Sequence, residues 1–224
     1  MRAEIDRTLE RIPVDFGGGC STSKAQVLGW LIRRFGLATT LDIGVYRGRS
    51  LFPQALAHRY TGGVVYGVDP WSIEEMREDE LPDEIRDDGE HFFAKVDLPA
   101  IYEQVKTLRD ELQLGERIVL VRDTSADAAG KLPEQFDMIH IDGNHDTHKV
   151  RQDLETYLPR LRPKGFLVID DVSWPSVQMA LESLSAPKVL ERVSNDRSDD
   201  YAIYRPGASR RGALAVRARL LAVR

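Results

Sequence analysis

The sequences FDMIHIDGNHDTHKV, at residues 136–150, and GFLVIDDV, at residues 165–172, decide the fold class of this chain. Each contains a short apolar run, and a helical pattern connects the two, which is typical of buried strands in a parallel α/β sheet. The first run ends at Asp142 and the second at Asp170 and Asp171. Ligands of such sheets bind beyond the carboxyl ends of the strands. If the two strands are neighbours, we therefore expect the three carboxylates to converge on one site.

A cluster of three carboxylates requires a positive charge. Mutual repulsion would raise the pKa of these groups and destabilise the fold unless a cation offset it. Oxygen ligands without a cysteine and histidine cluster favour a hard ion such as Mg²⁺, with Mn²⁺ or Ca²⁺ as tolerated substitutes. A single aspartate at a strand end is more often a cap or a turn residue. Together, Asp142, Asp170 and Asp171 predict a metal site, with His145 just beyond the first of them.

Composition limits the class of protein. A chain of 224 residues with 42% apolar and 30% charged residues is typical of one soluble domain. The net charge of −5 argues against a nucleic-acid partner, because phosphate backbones require a basic surface. The single cysteine, Cys20, excludes an internal disulfide, and no apolar run reaches the ~18 residues of a membrane span. We expect a cytoplasmic protein without a membrane span.

The chain is expected to form one domain with appended segments. Residues 1–38 predict N-terminal helices and a glycine-rich loop that is either a connector or a cover for a ligand. Residues 39–207 predict the main domain, interrupted at residues 72–98 by an acidic insert that is either a lid or a solvated excursion. Residues 208–224 form an arginine-rich tail, which we expect to be partly ordered. The alternatives are a helix that packs on a partner subunit and a segment that contacts an anionic ligand. The opposite charges of insert and tail are compatible with a homodimer.

The sequence TTLDIGVYRGRS, at residues 39–50, predicts a strand, a glycine turn and a helix led by Ser50. The next strand, residues 64–68, ends at Asp69. This arrangement is half of a nucleotide-binding βαβ unit, in which an acid at the end of the second strand accepts hydrogen bonds from both ribose hydroxyls.

The glycine turn argues against a dinucleotide. A dinucleotide fingerprint needs a glycine in the middle of the turn, where the backbone approaches the pyrophosphate. Here Tyr46 stands between Gly44 and Gly48. We therefore expect a ligand that contains adenosine but no phosphate, with S-adenosylmethionine (SAM) as the first candidate. The alternative is a turn with a purely structural role.

Two resemblances follow from these motifs. The pattern Asp42-x-Gly44-x-Tyr46-x-Gly48 resembles the first motif of class I SAM-dependent methyltransferases. The longer pattern, with LDIGVYRGRS, YGVDPW, IHIDGNH and GFLVIDDV in order, resembles the metal-dependent sugar O-methyltransferases of the macrocin O-methyltransferase type and their cephalosporin hydroxylase-like relatives. The short chain, rich in Arg and Ala, is also similar in character to actinobacterial methylmannose-polysaccharide O-methyltransferases, although no quoted motif carries that likeness.

The resemblance implies a single Rossmann-like α/β domain, with a mostly parallel seven-stranded sheet, helices on both faces and a C-terminal antiparallel hairpin. In the family, the Asp of Asp-Gly-x-His and both acids of the Asp-Asp pair bind Mg²⁺, which implies Asp142, Asp170 and Asp171. The His is the proposed general base, which implies His145. One departure stands at Thr147, where the family commonly has an aromatic residue, and it puts the contacts to the acceptor in doubt.

The resemblance also implies where the adenine lies. In the class I layout, the corner after the strand at residues 118–121 contacts the adenine, which implies Asp123 at its exocyclic amine, with Thr124 and Ser125 beside it. The alternative is that these residues only cap the following helix. The implied SAM-binding set is Gly44, Tyr46, Gly48, Ser50, Asp69, Asp123, Thr124, Ser125 and Asp142.

The predicted reaction is transfer of a methyl group from SAM to a hydroxyl of a sugar, in a small-molecule or oligosaccharide acceptor. A sugar hydroxyl is a weak acid, so Mg²⁺ would lower its pKa while His145, assisted by Asp142, takes the proton. A catechol-type methyltransferase is the nearest alternative, but it needs an aromatic-walled slot, and the variable regions here are polar. A SAM- or nucleotide-binding module without catalysis would need neither the acids nor His145, and Tyr46 counts against an NAD-dependent oxidoreductase.

Overall fold

The computed structural model describes residues 1–16, 19–193 and 199–221 of the chain. One seven-stranded sheet runs through the molecule in the order β3-β2-β1-β4-β5-β7-β6. The strands are β1 (Thr39–Ile43), β2 (Val64–Val68), β3 (Ile118–Val121), β4 (Phe136–Ile141), β5 (Leu161–Asp170), β6 (Lys188–Arg192) and β7 (Tyr201–Tyr204). The first five are parallel, whereas β7 is antiparallel to both β5 and β6. The predicted Rossmann-like fold, with its C-terminal antiparallel strands, is therefore confirmed.

Ten α-helices are described, some joined to short 3₁₀ turns at Ala129–Lys131 and Leu158–Arg160. They are α1 (Arg2–Leu9), α2 (Thr22–Phe35), α3 (Leu51–Thr61), α4 (Ile73–Met76), α5 (Asp83–Phe93), α6 (Leu98–Glu111), α7 (Ser125–Ala128), α8 (Thr147–Tyr157), α9 (Pro175–Leu181) and α10 (Arg210–Leu220). Among the residues described, no helix is long and apolar enough to cross a membrane.

The sheet has a separate apolar core on each face. Successive side chains of a strand point to opposite faces, so Phe166 and Val168 of β5 join one core while Leu167 and Ile169 join the other. Helices α1, α2, α3, α6 and α10 contribute to the first core, and α7, α8 and α9 to the second. Burial of both faces explains why β5 carries a continuous apolar run, Phe166 to Ile169, rather than an alternating pattern.

The helix and strand boundaries differ from those expected after residue 147. The helical pattern between the two apolar runs predicts a helix from about Thr147 to Leu161, and the observed helix ends at Tyr157. Pro159 follows it, and proline has no N–H to continue the α-helical hydrogen bonds. The chain then enters β5 at Leu161, five residues before the start of the predicted strand at Phe166, and it bends where the β4–β5 register shifts.

The arginine-rich tail differs from the expected partly ordered segment, because most of it is helix α10. Ala213, Val216 and Leu220 lie on one helical face and are buried in the first core. Ser209 caps the helix by accepting a hydrogen bond from the Gly212 N–H at 3.1 Å. The sequence NDRSDD, at residues 195–200, predicts a polar turn before β7. Residues 194–198, which include most of it, and residues 222–224 lie outside the part of the chain that the structure describes.

The parallel strands β1 and β4 are neighbours, and their ends are aligned, with Ile43 opposite Ile141. The strand order reverses between them, and such switch points are where α/β sheets bind ligands. The next residues, Gly44 and Asp142, approach so closely that a Cβ on Gly44 would lie 1.8 Å from the Asp142 carbonyl oxygen. Only glycine fits here, and its φ of +84° is also a glycine conformation.

We predict that Gly44→Ala destabilises the fold far more than Gly62→Ala. Gly62 has a similar φ of +73° but open space around it, so alanine there adds only backbone strain, about 1–2 kcal/mol. At Gly44 the same strain is joined by a backbone collision, and we expect a loss above about 4 kcal/mol. Urea unfolding followed by circular dichroism measures both, and equal losses would show that the β1–β4 contact tolerates a side chain.

Candidate active site

A cavity of about 440 Å³ opens at the carboxyl ends of the central strands. Of the predicted site residues, those that line it are Gly44, Tyr46, Ser50, Asp69, Thr124, Ser125, Asp142, His145 and Asp171. Three others, Gly48, Asp123 and Asp170, are absent from its lining. The structure thus brings most of the predicted residues together around one space.

The turn after β1 is held by the acid at the end of β2. The backbone N–H of Tyr46 donates to Asp69 Oδ2 at 2.8 Å, and that of Trp71 donates to Oδ1 at 2.6 Å. Burial raises the pKa of Asp69 to about 6, even though both hydrogen bonds favour the charged form. Each carboxylate oxygen has a further lone pair, so Asp69 can also accept a hydrogen bond from a ligand in the cavity.

Backbone strain is concentrated beside the cavity. Within the described ranges, five non-glycine residues have positive φ, and three of them belong to the site or its supporting turn: Tyr46 (45°), Trp71 (44°) and Asp171 (50°). Such conformations cost about 1–3 kcal/mol each and persist where neighbouring contacts enforce them. Here the Asp69 carboxylate enforces the first two, and the Asp200 carbonyl oxygen accepts a hydrogen bond from the Asp171 N–H at 2.8 Å.

The first acid of the glycine motif is a structural anchor. Asp42 is fully buried and accepts hydrogen bonds from Ser50 Oγ at 2.8 Å and Gln54 Nε2 at 2.9 Å. Its Oδ1 also lies 2.6 Å from His140 Nδ1, across the β1–β4 boundary. Asp42 therefore ties the start of α3 to both central strands, and Ser50 reaches the cavity from this anchored position.

The cation next to the predicted metal ligands is a lysine. Lys24 of α2 is completely buried, and its Nζ forms an ion pair with Asp170 Oδ2 and lies 3.5 Å from Asp142 Oδ2. Burial alone would lower the pKa of Lys24, but the neighbouring carboxylates, Asp142 foremost, raise it above its ordinary value. The inference that gathered carboxylates need a positive charge holds, and the protein supplies part of that charge itself.

Both oxygens of Asp170 are engaged inside the protein. Oδ2 pairs with Lys24, and Oδ1 lies 3.0 Å from His140 Nε2. The side chain is 4% exposed. Asp170 is thus an internal anchor, and with His140 and Asp142 it also forms a group whose possible metal-ligand atoms lie within 4.8 Å of one another. Its role as a metal ligand stays a prediction.

The other two predicted ligands face the cavity together with His145. One oxygen each of Asp142 and Asp171 and one ring nitrogen of His145 all lie within 4.8 Å of one another. His145 Nε2 lies 3.6 Å from Asp142 Oδ1 and 3.0 Å from Asp171 Oδ2. Both carboxylates are within ion-pair distance of this buried nitrogen, but its hydrogen-bonding capacity is not satisfied among the described residues.

The charges of this cluster perturb one another. Burial works to raise the pKa of Asp142, but the Lys24 ammonium and His145 lower it to about 2. Burial would lower the pKa of His145, whereas Glu78, Asp171 and Asp142 raise it well above its ordinary value. The carboxylates around His145 therefore favour the charged form of its ring.

The corner after β3 presents two of its three predicted residues to the cavity. Thr124 and Ser125 line it, and Thr124 Oγ1 also caps α7 by accepting a hydrogen bond from the Asp127 N–H at 3.2 Å. Asp123 forms an ion pair with Lys131 instead. Its contact with the adenine amine stays a prediction.

The acidic insert contributes directly to the cavity wall. Its lining residues are Glu75, Met76, Glu78, Leu81, Phe92 and Phe93. Leu81 and Phe93 also form a small apolar cluster with Ile85, against which Trp174 packs. The insert therefore turns apolar side chains toward the cavity, although its overall composition is acidic. Phe16 and Gly19, on either side of the undescribed residues 17–18, line the cavity as well.

Three residues of the site were missed by sequence reasoning. Lys24 could have been recognised from the sequence, because it lies on the apolar face of α2, four residues before Leu28 and seven before Leu31. A lysine is exceptional at such a position. Glu78 lies in a run of many acids that gave no reason to select it. Trp174, whose ring centre is 4.8 Å from that of His145, follows the Asp-Asp pair without a periodic pattern.

Comparison with known proteins identifies the family. A family model described as a methyltransferase domain matches residues 41–172, which is more than half of the chain. The chain belongs to this methyltransferase family. One curated relative, Uncharacterized protein y4gI of Sinorhizobium fredii (strain NBRC 101917 / NGR234), is 24% identical over 145 residues. That match covers 63% of this chain and only 14% of the relative's length.

Solved structures share the whole fold. A putative O-methyltransferase from Klebsiella pneumoniae superposes with a TM-score of 0.64 at 17% identity, covering 91% of this chain and 90% of its own. An O-methyltransferase from Bacillus cereus, in complex with SAH, gives a TM-score of 0.61 at 16% identity, with 90% and 89% covered. At these identities the likeness establishes the fold alone.

We predict that Lys24→Met lowers the free energy of unfolding by about 3–5 kcal/mol, because it leaves the buried Asp170 carboxylate without its cation beside the partly exposed Asp142. Lys149→Met is the matched control, since its ion pair with Glu75 is partly exposed and worth at most about 1 kcal/mol. Adding Asp170→Asn to Lys24→Met should restore part of the loss. Denaturant unfolding tests this, and a Lys24→Met chain as stable as the Lys149→Met control would contradict it.

Proposed function

We propose that this protein is a SAM-dependent O-methyltransferase that methylates a hydroxyl group of a small polar acceptor, of the sugar or glycoside class. The observation that carries the proposal is the shared cavity, in which the glycine turn and Asp69 lie on one side and Asp142, His145 and Asp171 on the other. A methyl donor and an acceptor hydroxyl have to meet in one space, and the family membership supplies the reaction class. The neighbour from Bacillus cereus, solved with SAH, supports the choice of cofactor.

The donor side fits SAM. Asp69 would accept hydrogen bonds from the ribose, and the turn at Gly44 and Tyr46 would lie against the amino-acid portion. The adenine edge is assigned to Thr124 and Ser125, which line the cavity. SAM supplies an electrophilic methyl group on a sulfonium centre.

The acceptor side fits a hard divalent cation in part. Asp142 and Asp171 present oxygen atoms to the cavity, and Mg²⁺ is commonly held by one or two carboxylates together with water and substrate oxygens. Asp170 would support this pair indirectly, because its ion pair with Lys24 holds the ammonium group next to Asp142. When bound, Mg²⁺ would lower the pKa of a coordinated hydroxyl.

His145 is the residue that we assign to remove the hydroxyl proton. Its Nε2 is buried beside both cavity carboxylates and has no hydrogen-bond partner there, so it is directed at the place where an acceptor would lie. A positive charge bound between Asp142 and Asp171 would offset the carboxylates that raise the pKa of His145, and would thereby favour the neutral ring.

A phenolic diol is a second candidate acceptor, favoured by the aromatic wall. Phe92, Phe93 and Trp174 line the cavity and would enclose a flat ring. The polar composition of the insert had argued against such a slot, but the insert's cavity side is largely apolar. Sugars also stack on aromatic side chains, so the wall by itself does not separate the two classes.

We predict that SAM affinity falls as pH drops through about 6, because the ribose hydroxyls need an ionised Asp69 carboxylate as acceptor. Protonation of Asp69 in the free protein should lower the affinity for SAM about tenfold at about pH 5. Isothermal titration calorimetry at about pH 5 and about pH 8 measures the effect. Asp69→Asn should bind weakly and lose the pH dependence, whereas the surface variant Asp110→Asn should behave as the wild type. An unchanged affinity across this range would exclude Asp69 as a ribose ligand.

We predict methyl transfer from labelled SAM to at least one member of a panel of partly methylated sugars and glycosides. EDTA should abolish the transfer and Mg²⁺ should restore it, and Asp171→Asn should weaken the response to Mg²⁺ because it removes a cavity carboxylate. Phenolic diols form the second arm of the panel. Turnover confined to that arm would replace the sugar assignment, and turnover unaffected by EDTA would remove the metal from the proposal.

A further inference from the structure

The acidic insert is fastened to the loop that carries His145. The Asp146 carboxylate accepts hydrogen bonds from the backbone N–H groups of Asp79 at 3.1 Å and Glu80 at 2.7 Å. In return, the Glu80 carboxylate accepts from the Thr147 N–H at 3.1 Å and from its hydroxyl at 2.6 Å. The contacts run in both directions, so the two segments hold each other in register.

Glu78 stands between these contacts and reaches His145 itself. Its Oε1 lies 2.7 Å from His145 Nδ1 and accepts the backbone N–H of the same residue at 3.0 Å. The Glu78 side chain is 11% exposed, so water competes little for its carboxylate. Because this carboxylate is within hydrogen-bond distance of both the ring and the backbone of His145, the ring has little freedom to rotate.

The geometry also determines which ring nitrogen is available. A carboxylate only accepts hydrogen bonds, so Nδ1 keeps its hydrogen against Glu78 in either charge state of the ring, and Nε2 is the nitrogen that faces Asp142, Asp171 and the cavity. The Trp174 ring packs on the imidazole from the side, with ring centres 4.8 Å apart. The orientation of the ring thus follows from Glu78 and Trp174, neither of which belongs to the central strands.

We propose that Glu78 is a positioning residue for His145, so that the proton acceptor of the site is assembled only when the insert is docked on the loop. This inference rests on the proposed function for its chemical meaning. The acceptor O–H bond breaks and its proton passes to His145 Nε2, while the oxygen electron pair forms the new bond to the methyl carbon. The methyl–sulfur bond breaks with its electron pair remaining on sulfur. The ring then carries two N–H groups, and Glu78 balances its positive charge.

The test compares Glu78→Ala and Glu78→Gln with Glu80→Ala in the full-length chain. Glu80 is the matched control because it fastens the same insert to the same loop without touching His145. Nitrogen-15 NMR of the histidine rings reports on Nδ1–H without any acceptor. The chain has five histidines, and the signal that disappears in His145→Asn identifies the relevant one.

We expect a protected Nδ1–H signal from His145 in the wild type and in Glu80→Ala, and its loss to exchange with water in Glu78→Ala. Glu78→Gln should keep the signal, because an amide oxygen also accepts a hydrogen bond from Nδ1–H. This variant still tests the proposal if Glu78→Ala does not fold. With an acceptor from the panel, Glu78→Ala should lower kcat by about 10²-fold or more while leaving calorimetric SAH affinity within about twofold. Glu78→Gln should fall between it and the wild type.

Two results would overturn the proposal. One is an Nδ1–H signal that is equally protected without the Glu78 carboxylate. The other is an equal loss of kcat in Glu78→Ala and Glu80→Ala, which would show that Glu78 only holds the insert on the loop. The NMR measurement needs no turnover. A failure to find any acceptor would therefore count against the proposed function, whereas the NMR result alone would decide whether Glu78 positions His145.

Discussion

A buried line of charged and polar side chains runs beneath the cavity from Lys24 through Asp170 and His140 to Asp42, and the site is built on it. Each member is almost fully buried, and each carboxylate in the line has a cationic or hydrogen-bonding partner. Buried charges are tolerated only when they are paired in this way. The line joins α2, β5, β4 and β1, so the strand ends that carry the cavity residues are held at fixed separations.

Two kinds of strand-end carboxylate result from this arrangement. Asp42 and Asp170 point inward and act as anchors, whereas Asp69, Asp142 and Asp171 remain at the cavity. The separation is physical: the inward pair is satisfied within the protein, while the cavity acids keep lone pairs or charge for a ligand. Burial raises the pKa of Asp69 and the Lys24 ammonium helps to lower that of Asp142, so acids on one sheet edge become protonated at different pH values.

Much of the fold was open to prediction because its signals are local. A short apolar run followed by an acid or a glycine turn marks the end of a buried parallel strand, and the chain repeats this feature at Ile43, Val68 and Ile141. The order of β1 and β4 then brings Gly44 and Asp142 together. Less predictable were the positions that depend on partners, such as the helical tail, which becomes regular because β6 offers its apolar face a surface.

The sequence by itself determined the sheet, the glycine turn without a dinucleotide glycine, and the cavity positions of Asp69, Asp142, His145 and Asp171, since all follow from strand ends. Only the tertiary structure decided that Lys24 supplies a cation, that Asp170 is engaged by it, and that Glu78 holds His145. These pairings join residues far apart in the chain, and which acid of a charged run meets which base depends on packing. Local pattern therefore places a residue at the site, whereas packing decides its partner and hence its chemistry.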